Sequence, residues 1–187
     1  LSREEMATEF DLHKVHKACA RFSKEKAEWF NHQYLQKQSN EELLESFKNL
    51  EETKNINLSD ETLLKIIGLM KERATFVKDI YTQGKFFFEA PAAYDEKAVK
   101  KAWNEETASI MTELSEKLNT TEFKSEILKE EIHHLVEEKG LGFGKVMMPL
   151  RLALVGELKG PDVPDLLEIL GKEESLTRLK LAIEKIK

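Results

Sequence analysis

The stretch 144-GKVMMPLRLALVGELKGPDVPDLLEILGKEESLTRL-179 decides how the chain is read. Most of it has the apolar spacing of packed helix. Pro149 and Arg151 interrupt the apolar run, and Gly160-Pro161 breaks the chain soon after. The pattern predicts a short helix from Pro149 to Val155, closed by Gly156. Pro164 then suits the first helical residue of PDLLEIL, which Gly171 closes. A last helix carries Leu176, Leu179, Ile183 and Ile186.

Working back from this stretch, the periodicity stays helical. Asp11 to Phe22 places Leu12, Val15, Ala18, Cys19 and Phe22 on one apolar face. Ser23 can cap KEKAEWFNHQYLQK, where Phe22, Trp29, Phe30, Tyr34 and Leu35 read as an aromatic core. Ser39 with Glu42 three residues on is a capping box, opening a helix with Leu43, Leu44, Phe47 and Leu50 inward. Ser59 can cap the next, with Leu58 stapled on Leu63 and with Leu64, Ile66, Ile67 and Met70 inward, ending near Arg73–Ala74. A shorter helix runs through Phe76, Val77 and Ile80. Pro91 and small residues break the pattern over Gly84–Tyr94, while Phe86, Phe87 and Phe88 are too apolar for a free linker and predict a stiff joint. Asp95 can cap one long helix to about Leu118, with Ile110, Met111 and Leu114 inward. Thr120/Thr121 are expected to start another, through Phe123, Ile127, Leu128, Ile132, Leu135 and Val136, which Gly140 ends. The expected fold is all-α, with two small helical modules packed end to end, residues 1–94 and 95–187.

The totals agree with that class. The 187 residues suffice for a core, and 41% hydrophobic with 34% charged residues describes a globular helical chain. No apolar run approaches the ~20 residues of a membrane span, and LSREEMATEF has no signal-peptide core. A start at Leu1 without Met suggests a cut fragment. The single Cys19 excludes an internal disulfide framework and suits the cytoplasm; it reads as a small core residue rather than a nucleophile. Net charge is −6, unevenly spread: residues 1–138 carry 20 Lys+Arg against 28 Asp+Glu, residues 139–187 carry 9 against 7. The C-terminal part is the less repulsive end for a polyanion.

No catalytic constellation stands out. Without strands there is no strand-borne Gly-rich phosphate loop. His13-x-x-His16 and His133-His134 could be imagined as metal ligands, but adjacent helical histidines diverge and no Cys cluster supports them, so no metal is expected. Carboxylate runs such as Glu51-Glu52 and Glu137-Glu138 read as solvated faces.

The stretch GKVMMPLRLALVGELKGPDVPDLLEILGKEESLTRLKLAI resembles the C-terminal end of bacterial glutamyl-tRNA synthetases, class I enzymes that join glutamate to its tRNA with ATP. That family ends in a Met-Pro-Leu-Arg-x-Ala-Leu-x-Gly segment, a Pro-containing loop, Leu-Gly-Lys-Glu and an Arg-Leu helix. Lys26-Ala27-Glu28-Trp29-Phe30-Asn31-His32-Gln33-Tyr34 looks like the family's Lys-Leu-x-Trp-x-Asn-Gly-x-Tyr segment, with Ala27 and His32 departing from it. The family's HIGH- and KMSKS-type motifs are not in this sequence. The resemblance therefore implies the anticodon-binding part alone: two all-α modules, inactive by themselves, in the cytoplasm, monomeric, with tRNA(Glu) as partner. ATP and Mg would belong to the parent enzyme, and no cofactor to this part.

The resemblance also assigns residues. Arg151 matches the arginine of the Pro-Leu-Arg segment that lies at the anticodon. In the first turn of a helix starting at Pro149, a cation costs ~0.3–1 kcal/mol against the dipole, which an acceptor-rich partner would offset. The plainer reading is a surface arginine paired with Glu157 or another carboxylate. Gly160, Pro161 and Val163 match the base-contacting loop; at Gly160 any contact must come from backbone. Arg73 aligns with an arginine that reads the third anticodon base in glutamate-specific members, although a cation in a last helical turn also has a structural explanation. Lys145, Lys159 and Lys172 are candidates for phosphate contacts by proximity. Two alternatives stand beside this reading: the same region of a non-discriminating enzyme, or a helical protein–protein module.

Overall fold

The computed structural model describes residues 2–14 and 21–186, in which no strand occurs. Val15, His16, Ala18 and Cys19 lie outside the described residues. Ten α-helices follow in order: α1 Arg3–Glu9, α2 Lys24–Lys37, α3 Asn40–Lys48, α4 Asp60–Lys71, α5 Val77–Gln83, α6 Glu96–Ala102, α7 Glu105–Thr120, α8 Ser125–Glu138, α9 Gly144–Val155 and α10 Val163–Lys185. Helices α3, α4 and α5 pack together around Leu43, Phe47, Ile66, Ile67 and Ile80. Helix α10 packs on α7, α8 and α9 around Met111, Leu114, Ile132, Leu150 and Leu179. Each such side chain contributes about 1.5–3 kcal/mol by leaving water. Helix α10 also touches α4 and the 3₁₀ turn Lys85–Phe87, so it links the N-terminal and C-terminal helices.

Local start and stop signals act where expected. Ser39 and Glu42 form a reciprocal capping box, Ser23 and Ser59 cap α2 and α4, and Gly140 and Gly156 take left-handed conformations after α8 and α9. Gly171, at φ 77° and ψ 169°, divides α10 into two helical runs.

Five expectations fail, some for local and some for tertiary reasons. First, Phe22, Trp29, Phe30 and Tyr34 are exposed, Phe22 at 81%, and form no aromatic core. Helix α2 instead turns inward Leu35 and three polar side chains: Asn31 Nδ2 donates to the Thr75 carbonyl, His32 Nδ1 to Ala74 O (2.8 Å) and Gln36 Nε2 to Lys71 O (2.7 Å). These donors satisfy carbonyls at and beyond the end of α4, which a phenyl ring could not do. Second, the face expected over Asp11–Phe22 starts as a 3₁₀ turn at Leu12–Lys14, with Leu12 75% exposed. Third, residues 95–118 are two helices. Asn104 opens α7, its side chain accepting from Thr107 N (2.9 Å) while Thr107 Oγ1 accepts from Asn104 N (3.2 Å). The preceding Trp103 turns extended and is buried. Fourth, α8 begins at Ser125, because Thr120 and Thr121 bond back to Lys117 O and finish α7. Fifth, α9 begins at Gly144 and holds Pro149 in its interior. Val146, Leu150 and Leu154 are fully buried at helical spacing, and that face carries the helix through a residue that cannot donate to the Lys145 carbonyl.

The start of α8 has no cap on its own Lys124. Glu168, from α10, accepts from Ser125 N (2.7 Å) and pairs with Lys65 of α4 (3.0 Å). The Ser125 N–H, then Lys65, hold the Glu168 carboxyl below the usual carboxylate range. A carboxylate depressed in the folded chain stabilises above its unfolded pKa, and that contribution is lost as pH falls through the folded value. Glu168→Ala is therefore expected to cost about 1 kcal/mol near neutral pH. It should also lower the midpoint of thermal unfolding by roughly 2–4 °C. The gap between variant and wild type should narrow as pH falls through the lowered carboxyl value; a gap that does not change with pH would mean the carboxylate is not the stabilising group.

Candidate nucleic-acid interface

Arg73 lines an open cleft, and Arg151, 78 positions away in sequence, lies beside it with its Nη1 next to the cleft-lining Gly160. The cleft, about 580 Å³, lies between the end of α4, the 84–92 segment and the loop after α9. Arg73, Lys85 and Lys159 line it together with Glu89 and Glu157, and Lys85 pairs with Glu89 (3.1 Å).

Arg73 stands just beyond α4, exposed, with its N–H on Met70 O (3.0 Å). The bonds from Gln36 to Lys71 O and from His32 to Ala74 O hold the backbone on either side of it. The polar face of α2 thus fixes the peptide that carries this cation. The end of α4 also favours a positive charge, which supports Arg73 there.

Arg151 lies in the second half of α9, not in its first turn, so the dipole penalty expected there does not apply. It is half-buried and its Nη1 donates to the Pro161 carbonyl. Among the described residues it forms no ion pair with Glu157. Burial pushes its guanidinium pKa down; Asp162 raises it, and the nearby Arg73 lowers it again. Asp162 outweighs Arg73, so loss of water is the main cost to the Arg151 cation, and an anion or a set of acceptor groups bound beside it would relieve that cost.

The loop residues divide by role. Gly160 lines the cleft at φ +151°, and a Cβ there would lie 3.1 Å from Arg151 Nη1. Pro161 is buried and supplies the carbonyl that aims Arg151. The Val163 side chain is fully buried and its N–H is taken by Asp162 Oδ1 (3.0 Å), so neither group faces a ligand. Of the three lysines, Lys159 lines the cleft. Lys145 is exposed near the start of α9, about 9 Å along the helix from Arg151. Lys172 is fastened elsewhere: its Nζ donates to Asn119 O (2.9 Å) and sits 5.7 Å from the Phe123 ring centre. His133 stacks on Phe143 and His134 faces Glu138 (3.8 Å).

Sequence reasoning missed Arg178, which is 2% exposed and bonded to Glu174, Phe86 O and Leu154 O. A signal existed. Ser175, Arg178, Leu179, Ala182 and Ile186 form the buried stripe of α10 and its cap, while Leu176 and Ile183 are only partly covered. The small residues Ser175 and Ala182 hid that stripe from a search for large apolar side chains.

Residues 25–183 match the family model described as anticodon binding domain. The chain is similar to the glutamate–tRNA ligase of Christiangramia forsetii, 43% identical over 98% of this chain and 37% of the relative. It is 46% identical to that of Flavobacterium johnsoniae, over 97% of this chain and 36% of the relative. A crystal structure of a glutamate tRNA ligase from Elizabethkingia meningosepticum, in complex with its amino acid, superposes with a TM-score of 0.95 at 66% identity, covering all of this chain and 37% of that one. The glutamate–tRNA synthetase of Elizabethkingia anophelis gives 0.90 at 64%, covering 99% of this chain and 36% of that one. The chain thus spans little more than a third of the length of these relatives.

Proposed function

Because the chain belongs to the anticodon binding domain family, we propose that it grips the anticodon loop of tRNA(Glu) as part of a longer glutamate–tRNA ligase. The chemistry of amino-acid activation, with ATP and Mg, would lie in the remainder of such a ligase. Two helical modules, 1–94 and 95–187, would close on the loop from either side. The observation that carries this reading is a cleft lined by Arg73 from the first module and by Lys159 and Gly160 from the second, with Arg151 Nη1 directly beside Gly160. Single-stranded RNA loops are recognised by splaying out bases and bonding to their pairing edges, and guanidinium groups suit that task.

Arg73 would read the third anticodon base. Arginine only donates. Cytosine presents N3 and O2 as acceptors, whereas guanine presents N1–H and N2–H₂ donors that would face the guanidinium without partners. An unpaired buried donor costs roughly 1–3 kcal/mol, or about ten- to hundredfold in affinity. The test is binding of this chain to an anticodon stem-loop ending in C and to the same loop ending in G. Preference for C by about tenfold or more, lost in Arg73→Gln, supports both the grip and the base reading. Equal binding to both loops would overturn the base reading and favour an anticodon grip without selectivity. Binding to neither, at any salt concentration, would overturn the grip.

A further inference from the structure

We infer that Arg178 is a positioning residue that holds the Arg73 side of the cleft at a set place relative to the Arg151 side. The inference rests on the anticodon reading above for its RNA consequence, but not for its geometry. One nitrogen carries the connection: Arg178 Nη1 donates to Phe86 O (2.7 Å) and to Leu154 O (2.8 Å), while Nε donates to Glu174 Oε1 (2.7 Å). Phe86 belongs to the segment that follows the N-terminal helices, and its ring lines the cleft. Leu154 lies in the last turn of α9, beside the cleft-lining Val155 and three residues after Arg151. Both N–H groups of that nitrogen are thus committed, one to each side. The Leu154 carbonyl is among the last four of its helix, which have no helical donor, and a cation there is favoured.

The connection is planar and forked, so its length and direction are set rather than merely attractive. Arg178 points away from solvent and cannot touch RNA itself. Its effect on binding passes through the elements it joins. If they drift, Arg73 and Arg151 meet one loop together only part of the time, and apparent affinity falls by the fraction of time lost.

The test uses Arg178→Met and Arg178→Lys in this chain, compared with wild type at a temperature where circular dichroism shows all three folded. Spin labels at exposed Glu72 and Lys145, in a Cys19→Ser background, report the distance distribution between the two sides. Affinities for the C-ending and G-ending stem-loops are measured on unlabelled protein. The expected result for Arg178→Met is a broadened distance distribution, about tenfold weaker binding to the C-ending loop and a C/G ratio moving toward one. Arg178→Lys keeps the charge but not the fork, so it should broaden the distribution less; it also serves if the methionine variant does not fold. A merely structural role predicts a lower unfolding midpoint with the distance, affinity and C/G ratio unchanged in the folded protein, and that result would overturn the inference. So would a broadened distribution with wild-type affinity. If wild type binds neither loop, the proposed function falls and takes the RNA consequence with it. A narrow, unshifted distribution in both variants overturns the positioning role whatever RNA does.

Discussion

Gly156→Ala should lower the midpoint of thermal unfolding by about 10 °C. Gly156 sits at φ +87° and ends α9, its N–H on Leu152 O (2.8 Å). It also accepts from Asp95 N (2.8 Å), so the chain entering α6 is tied directly to it. A Cβ there would lie 2.8 Å from Ala93 O and 2.9 Å from Pro91 Cβ. Two costs add: about 1–2 kcal/mol for a left-handed non-glycine residue, and about 1–3 kcal/mol for crowding a packed site. The backbone atoms that the methyl meets cannot rotate away as a side-chain end would. Gly140→Ala is the control, because Gly140 also ends a helix at positive φ (60°) but has nothing within 4 Å of its would-be Cβ. Only the first cost applies there. Equal losses in the two variants, measured by calorimetry, would show that the contact with residues 91–93 contributes nothing.

Arg151→Gln should weaken stem-loop binding by about ten- to hundredfold, the scale of losing a charge-assisted contact that leaves its partner unpaired. It should also reduce the slope of log affinity against log salt by about 0.7, if one phosphate contact is lost. Stability should hardly change. Burial and Arg73 disfavour the charged guanidinium while Asp162 and the bond to Pro161 O favour it, so the free protein loses costs and gains together. Titrations at several salt concentrations, with unfolding midpoints alongside, separate the two roles. A fall in midpoint with unchanged affinity would make Arg151 a structural residue.

Glu168 and Arg178 show where reading along the chain stops. Each acts through a partner far away in sequence: Ser125 for Glu168 and Phe86 for Arg178. Helix α2 makes the same point in reverse. Its aromatic residues had the stronger local signal, yet the carbonyls beyond α4 recruited Asn31, His32 and Gln36 and set the opposite face inward. The resemblance named Arg73 and Arg151, but neither periodicity nor spacing could bring Arg151 beside the cleft that Arg73 lines.

By itself the sequence determined the helical class and the ends of helices whose signals are local. Ser39 with Glu42, Ser59, Gly140 and Gly156 act through bonds or backbone angles within a few residues, so their effect does not depend on what packs beside them. Tertiary structure alone decided which face of α2 is buried, that α9 runs through Pro149, and that Arg151 comes beside the cleft that Arg73 lines. Those outcomes depend on buried carbonyls needing donors and on apolar faces needing partners, and both are supplied by segments dozens of residues away.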